Sequence, residues 1–139
     1  MSPQRNNYRN NDRNNDIDEV ISKIDKVNML SDVKAKEYAD EGGYADKVAK
    51  SSQKLKTNQL RKFFGAVKKF EQKGTWEEIE PEFYLLKPQL ASAVGRGNIP
   101  KPFYRFVMVC MRKVDQGTEE DKLDNIKTFV KFFESIVAY

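Results

Sequence analysis

The stretch TNQLRKFFGAVKKF, residues 57–70, decides the fold. Leu60, Phe63, Phe64, Val67 and Phe70 recur at three- and four-residue spacing, so a helix gathers them on one side. Arg61 and Lys68 share a face, as do Lys62 and Lys69, all opposite that stripe. Thr57 is a residue type that caps a helix N-terminus, and Gly74 lies just past the far end. The spacing predicts one amphipathic helix with rings on one side and cations on the other.

The same reading extends downstream. Thr75 with Glu78 has the form of a capping box and opens a helix through Trp76, Ile79, Phe83, Leu86, Leu90 and Val94, which ends near Gly95 and Gly97. Pro81 and Pro88 lie inside it. A proline beyond the first turn removes a backbone bond and clashes with the preceding turn, so a kink or a break is expected. Pro100 stands where a first-turn proline is favoured, ahead of Phe103, Phe106, Val107, Cys110 and Val114 on one side of the next helix. Gly117 and Thr118 separate it from a last helix, where Thr118 and Asp121 resemble a capping box and Leu123, Ile126, Val130, Phe133 and Val137 form the stripe. Phe129, Phe132 and Ile136 widen that stripe, which suits a central helix or one that also carries a partner surface, the central position being favoured.

Upstream, Ile17, Val20, Ile21, Ile24 and Val27 make a helical stripe that ends before Ser31. Ser31 can cap a weaker segment with Val33, Tyr38 and Ala39, which Gly42 and Gly43 interrupt before Tyr44 to Ala49 resumes. Nowhere does a two-residue alternation persist over a strand's length. The expected fold is all-α, a compact bundle of about five to six helices formed by residues 16–139 as a single domain. Residues 1–15 are rich in asparagine, with Arg5, Arg9 and Arg13, and are expected to be a flexible, disordered tail that either solubilises the chain or touches nucleic acid.

Composition narrows the function classes. A chain of 139 residues buries roughly 65–70% of its extended surface on folding, so neither disulfide nor metal is needed. The apolar fraction of 39% is low and the charged fraction of 33% high, as expected of helices that each bury one stripe. Cys110, the single cysteine, lies in an apolar run and reads as a core thiol. With no histidine, Ser-His-Asp chemistry, histidine zinc sites and histidine acid–base catalysis are out of reach. The acidic residues Glu77, Glu78, Glu80 and Glu82 are the one candidate for an enzymatic carboxylate pair or magnesium site, but a helix N-terminus favours such residues anyway. No catalytic residue, metal or cofactor is expected. No apolar run approaches the roughly 20 residues of a membrane span, and the N-terminus has no signal-peptide character, so a soluble, cytoplasmic protein is expected.

The net charge of +4 hides strong segregation. Residues 54–74 hold Lys54, Lys56, Arg61, Lys62, Lys68, Lys69 and Lys73 against Glu71 alone, a net +6. Residues 87–114 hold Lys87, Arg96, Lys101, Arg105, Arg112 and Lys113 with no acidic residue, again +6. Arg105 and Arg112 are seven apart and share a face. If the helices beginning at Thr57 and Pro100 pack side by side, they present a basic groove that tracks a phosphate backbone. Lysines on an outer face are also simply solvated, and some are expected to pair with Glu77 to Glu82. No bidentate base-reading motif is evident, so recognition would follow shape and phosphate.

Three runs carry a resemblance: Thr57-Asn58-Gln59-Leu60-Arg61-Lys62-Phe63-Phe64, then Leu86-Lys87-Pro88-Gln89-Leu90-Ala91 leading to Gly95-Arg96-Gly97, then Phe132-Phe133-Glu134-Ser135-Ile136-Val137-Ala138-Tyr139. In this order they resemble the small subunit of type III-A CRISPR effector complexes, the Csm small subunit, over about residues 55–139. The resemblance implies a compact helical bundle present in more than one copy, stacked as an inner filament against the larger backbone subunits. It implies a subunit that lines the channel where guide RNA pairs with target RNA, while cutting and cyclic oligoadenylate synthesis belong to the backbone and large subunits. Arg61, Lys62, Lys87 and Arg96 fall on matched positions as RNA contacts. Lys54, Lys56, Lys68, Lys69, Lys101, Arg105 and Arg112 join them from charge placement alone. The chain has Phe64 and Ser92 where tyrosine is common in the family, and its asparagine-rich tail lies outside the match. Two other readings stay open: basic faces that meet acidic partner subunits without touching RNA, and a carboxylate enzyme at Glu77 to Glu82.

Overall fold

The computed structural model describes residues 16–52 and 57–139; the tail expected over residues 1–15 and the candidates Lys54 and Lys56 lie outside the described residues. Helix α1 spans residues 16–26. A 3-10 turn, Leu30–Asp32, follows, then α2 (Ala35–Ala39), α3 (Tyr44–Ser51) and α4 (Thr57–Lys68), which tightens into a second 3-10 turn, Lys69–Gln72. The chain continues as α5 (Trp76–Gly95), α6 (Lys101–Val114) and α7 (Glu119–Ala138). Among the described residues there is no strand.

Helix α7 is the centre. It packs on α2, α3, α4, α5 and α6 and on both 3-10 turns. Its widened stripe explains how: Ile126, Phe129, Val130, Phe132, Phe133 and Ile136 are all buried. Phe133 meets Phe63 of α4 at 5.2 Å, Phe132 meets Phe106 of α6 at 5.3 Å and stacks on Tyr38 of α2 at 5.2 Å, and Phe129 meets Phe83 of α5 at 6.3 Å. These edge and offset contacts add to area burial what ring quadrupoles supply. Val137, expected on the stripe, is 36% exposed and lines a shallow hollow with Leu60 and Phe103.

The helix ends follow local chemistry. Thr118 accepts from the Asp121 N–H at 3.1 Å while Asp121 accepts from the Thr118 N–H at 3.0 Å, a closed capping box. Thr75 accepts from the Glu78 N–H at 3.3 Å. Helix α5 stops in a Schellman turn: Gly97, at φ +75°, donates to Val94 at 2.9 Å, and Asn98 donates to Ala93 at 2.9 Å. The break expected at Pro81 and Pro88 is absent, since α5 runs through both. Both rings are exposed, and the burial of Ile79, Phe83, Leu86 and Leu90 on the other side holds the helix together. Pro100 is the N-cap of α6 rather than its first residue, and Pro102 takes the first-turn place.

Ser31 does not cap α2. It lies inside the first 3-10 turn, where its N–H donates to Asn125 Oδ1 at 2.8 Å, and Lys34 is the residue that precedes α2. Asn125 is fully buried on α7 and its Nδ2 donates to Val114 O at 3.0 Å and Gln116 O at 3.4 Å. One side chain thereby joins the first 3-10 turn, the end of α6 and α7.

Candidate nucleic-acid interface

Arg61 and Lys62 are neighbours on α4, about 100° apart around its axis, and so they serve two different hollows. Lys62 lines a cleft of about 550 Å³ between α4 and α5. From α4 the cleft takes Gln59, Lys62, Phe63 and Ala66; from α5 and the turn after it come Pro88, Gln89, Leu90, Ser92, Ala93, Arg96 and Ile99. Arg61 lines a smaller hollow of about 210 Å³, with Leu60, Phe103 and Tyr139.

Arg96 reaches the larger cleft because the Schellman turn holds it at the C-cap of α5, where its guanidinium donates to Ser92 Oγ at 3.2 Å. No carboxylate lines the cleft among the described residues. Arg61, Lys62, Lys69 and Lys101 are exposed and have no carboxylate at ion-pair distance among the described residues. Lys68 lies over the Phe64 ring at 5.7 Å, and Lys87 over the Tyr84 ring at 5.8 Å. The Tyr84 hydroxyl donates to Asp115 at 2.6 Å. That hydrogen bond, with burial, pushes its pKa up to about 12, so the ring under Lys87 stays neutral.

Arg105 and Arg112 stand elsewhere. Arg105 pairs with Asp18 at 3.2 Å, and Arg112 pairs with Asp25. The partners share the seven-residue spacing and the same order, so α1 runs parallel to α6 and sets an acidic ridge on its basic one. The basic groove expected between α4 and α6 is therefore not formed. These helices approach where Phe63 meets Phe103 at 6.3 Å, whereas α6 packs on α5 and α7. What the fold brings together instead is Lys62 from the first basic block and Arg96 from the second.

The acidic residues of α5 do not gather. Glu82 pairs with Lys73 at 3.0 Å, Lys73 also donates to the Glu78 carbonyl at 3.3 Å, and among the described residues no three acidic or cysteine side chains converge as metal ligands. Cys110 is buried, and burial pushes its thiol well above the ordinary range. Gln59, Gln89 and Ser92 form the polar rim of the cleft; the sequence marked Ser92 only as a departure from the family and the two glutamines only as members of the quoted runs, and named none of them as a contact. Their signal was spacing: Gln59 precedes Lys62 by three residues and Gln89 precedes Ser92 by three, which sets each pair on one helix face.

Fold and cleft define a small all-α module that sets two cations, Lys62 and Arg96, at a cleft with an apolar floor. Residues 35–139 match the family model described as Csm2 Type III-A, and the chain belongs to that family, the small subunit of type III-A CRISPR effector complexes. The match reaches further upstream than the sequence runs that first suggested it, while α1 and the first 3-10 turn precede it. Neither a curated protein nor a solved structure matches the chain. Among the described residues no helix is long and apolar enough to cross a membrane.

Proposed function

We propose that this subunit holds the guide and target RNA of its effector complex through phosphate contacts, without reading sequence and without catalysing a step itself. The observation that carries this reading is the placement of Lys62 and Arg96, cations from two separate blocks, on one cleft that no carboxylate lines. Arg61, Lys68, Lys69, Lys87 and Lys101 extend the cationic surface around it, and Lys54 and Lys56 continue it in sequence. Arg105 and Arg112 contribute less, because Asp18 and Asp25 already neutralise them. Several copies stacked along the larger backbone subunits in the cytoplasm would repeat the cleft along the RNA.

The test is charge reversal in the assembled complex. Lys62→Glu with Arg96→Glu is expected to weaken RNA binding and to flatten the dependence of log affinity on log salt by about 0.7 per lost contact, the single-strand value. Arg105→Ala with Arg112→Ala is expected to change that slope far less. An unchanged slope in the first pair sinks the reading. A second reading has its own support: the pairs with Asp18 and Asp25 show that these cations accept a carboxylate-bearing helix, as an acidic partner subunit would offer. Under that reading Lys62 and Arg96 crosslink to protein and never to RNA.

A further inference from the structure

We infer that the cleft between α4 and α5 takes one unpaired nucleobase of the bound RNA, beyond the phosphate contacts at its rim. The inference rests on the RNA reading above and deepens it. A surface that only tracks phosphates needs cations and no depth. This cleft encloses about 550 Å³, within the roughly 300–1,000 Å³ that ordinary small-molecule sites enclose. Its floor is apolar: Leu90, Ala93 and Ile99 are buried, and the Phe63 ring beside them is fixed by Phe103 and Phe133.

The rim supplies what a base edge and its phosphate require. Gln59 and Gln89 stand on opposite walls, and each amide both donates and accepts, so the pair meets the edge of any base without preferring one. Lys62 and Arg96 take the flanking phosphates. The lining holds two cations and no carboxylate, which selects an anionic ligand with a flat apolar body. An RNA nucleotide has that chemistry, and an acidic peptide lacks the planar face unless it carries an aromatic residue.

The test uses the assembled complex containing the full chain, with 4-thiouridine placed at single positions of the guide or target RNA. Irradiation is expected to crosslink one position to Gln59, Gln89 or Ser92. An abasic nucleotide at that position, its phosphate intact, is expected to weaken binding about tenfold, the scale of one lost base contact. Ala66→Phe fills the cleft without changing charge and Gln89→Leu, at an exposed position, removes one amide. Each is expected to abolish the crosslink and the abasic penalty while the salt slope persists. Crosslinks that avoid the cleft from every position, or an abasic penalty that survives both variants, overturn the base site while leaving the phosphate reading intact. A protein photo-crosslink from position 89 to a partner subunit, in place of RNA, also overturns it. A base crosslink that persists although charge reversal changes nothing keeps the site and removes the phosphate reading.

Discussion

Asn125 shows how much one polar side chain can organise. Its stripe neighbours are apolar, and nothing in its sequence position marks it, because its value comes from three partners that only the folded chain supplies: Ser31, Val114 and Gln116. Asn125→Ala leaves the part-buried Ser31 N–H and the buried Val114 carbonyl without this partner and is expected to cost about 2–6 kcal/mol in urea unfolding, since each stranded group costs about 1–3. Asp46 is the second buried polar residue with a plain role. Its carboxylate accepts from the Gly42 N–H at 2.8 Å and from Lys50, and the Gly42 bond, the largest influence, holds its pKa below the usual aspartate value. A depressed folded pKa contributes stability above the unfolded value near 4 and loses it as pH falls through the folded one. Stability is therefore expected to drop as pH falls below about 4, and the Asp46→Asn variant is expected to show a shallower acid limb in unfolding curves taken from pH 7 to pH 3.

At the scale of the element, the sequence was legible wherever a helix buries its own stripe. The rings of α4, α6 and α7 recur with the helical period, and the side-chain cap at Thr75 and the capping box at Thr118 mark helix starts whose chemistry is local. Of the kink or break expected at the prolines, the break is absent, because a proline's cost is local while the burial that offsets it is not. In α5, Pro81 removes the N–H that would meet Glu77 O, yet Ile79 and Phe83 beside it are fully buried and keep the helix continuous. Pro81→Ala restores that bond at an exposed position away from the cleft. A helix-interior proline costs about 3 kcal/mol, and its stiffening of the unfolded chain returns up to about 1. The variant is expected to be more stable by about 1–2 kcal/mol and to melt at a higher temperature, measured by circular dichroism. The cleft was only half legible: Lys62 and Arg96 were both named, but their meeting depends on how α5 docks against α4, which no spacing within one helix records.

At the scale of the whole molecule, charge segregation was visible in the sequence but its destination was not. The second basic block divides, with Arg96 turned to the cleft and Arg105 and Arg112, still exposed, paired with Asp18 and Asp25 of α1. The resemblance did not reach that helix, nor does the family match, yet α1 and the turn after it bury Ile17, Val20, Ile24, Leu30 and Val33. Each such side chain is worth about 1.5–3 kcal/mol on burial, so the set is comparable with the 5–15 kcal/mol of a typical domain. Removing residues 1–34 is therefore expected to unfold the chain or leave it marginal, and the molecule carries its own clock for checking this. Cys110 is the only thiol, sits at zero exposure on the buried face of α6, and is held protonated, so a sulfhydryl reagent has nothing to attack until the bundle opens. With reagent concentrated enough that labelling outpaces reclosing, the rate of a single mass increment reads the opening rate, and it is expected to be far faster for a chain that has lost α1 than for the intact one.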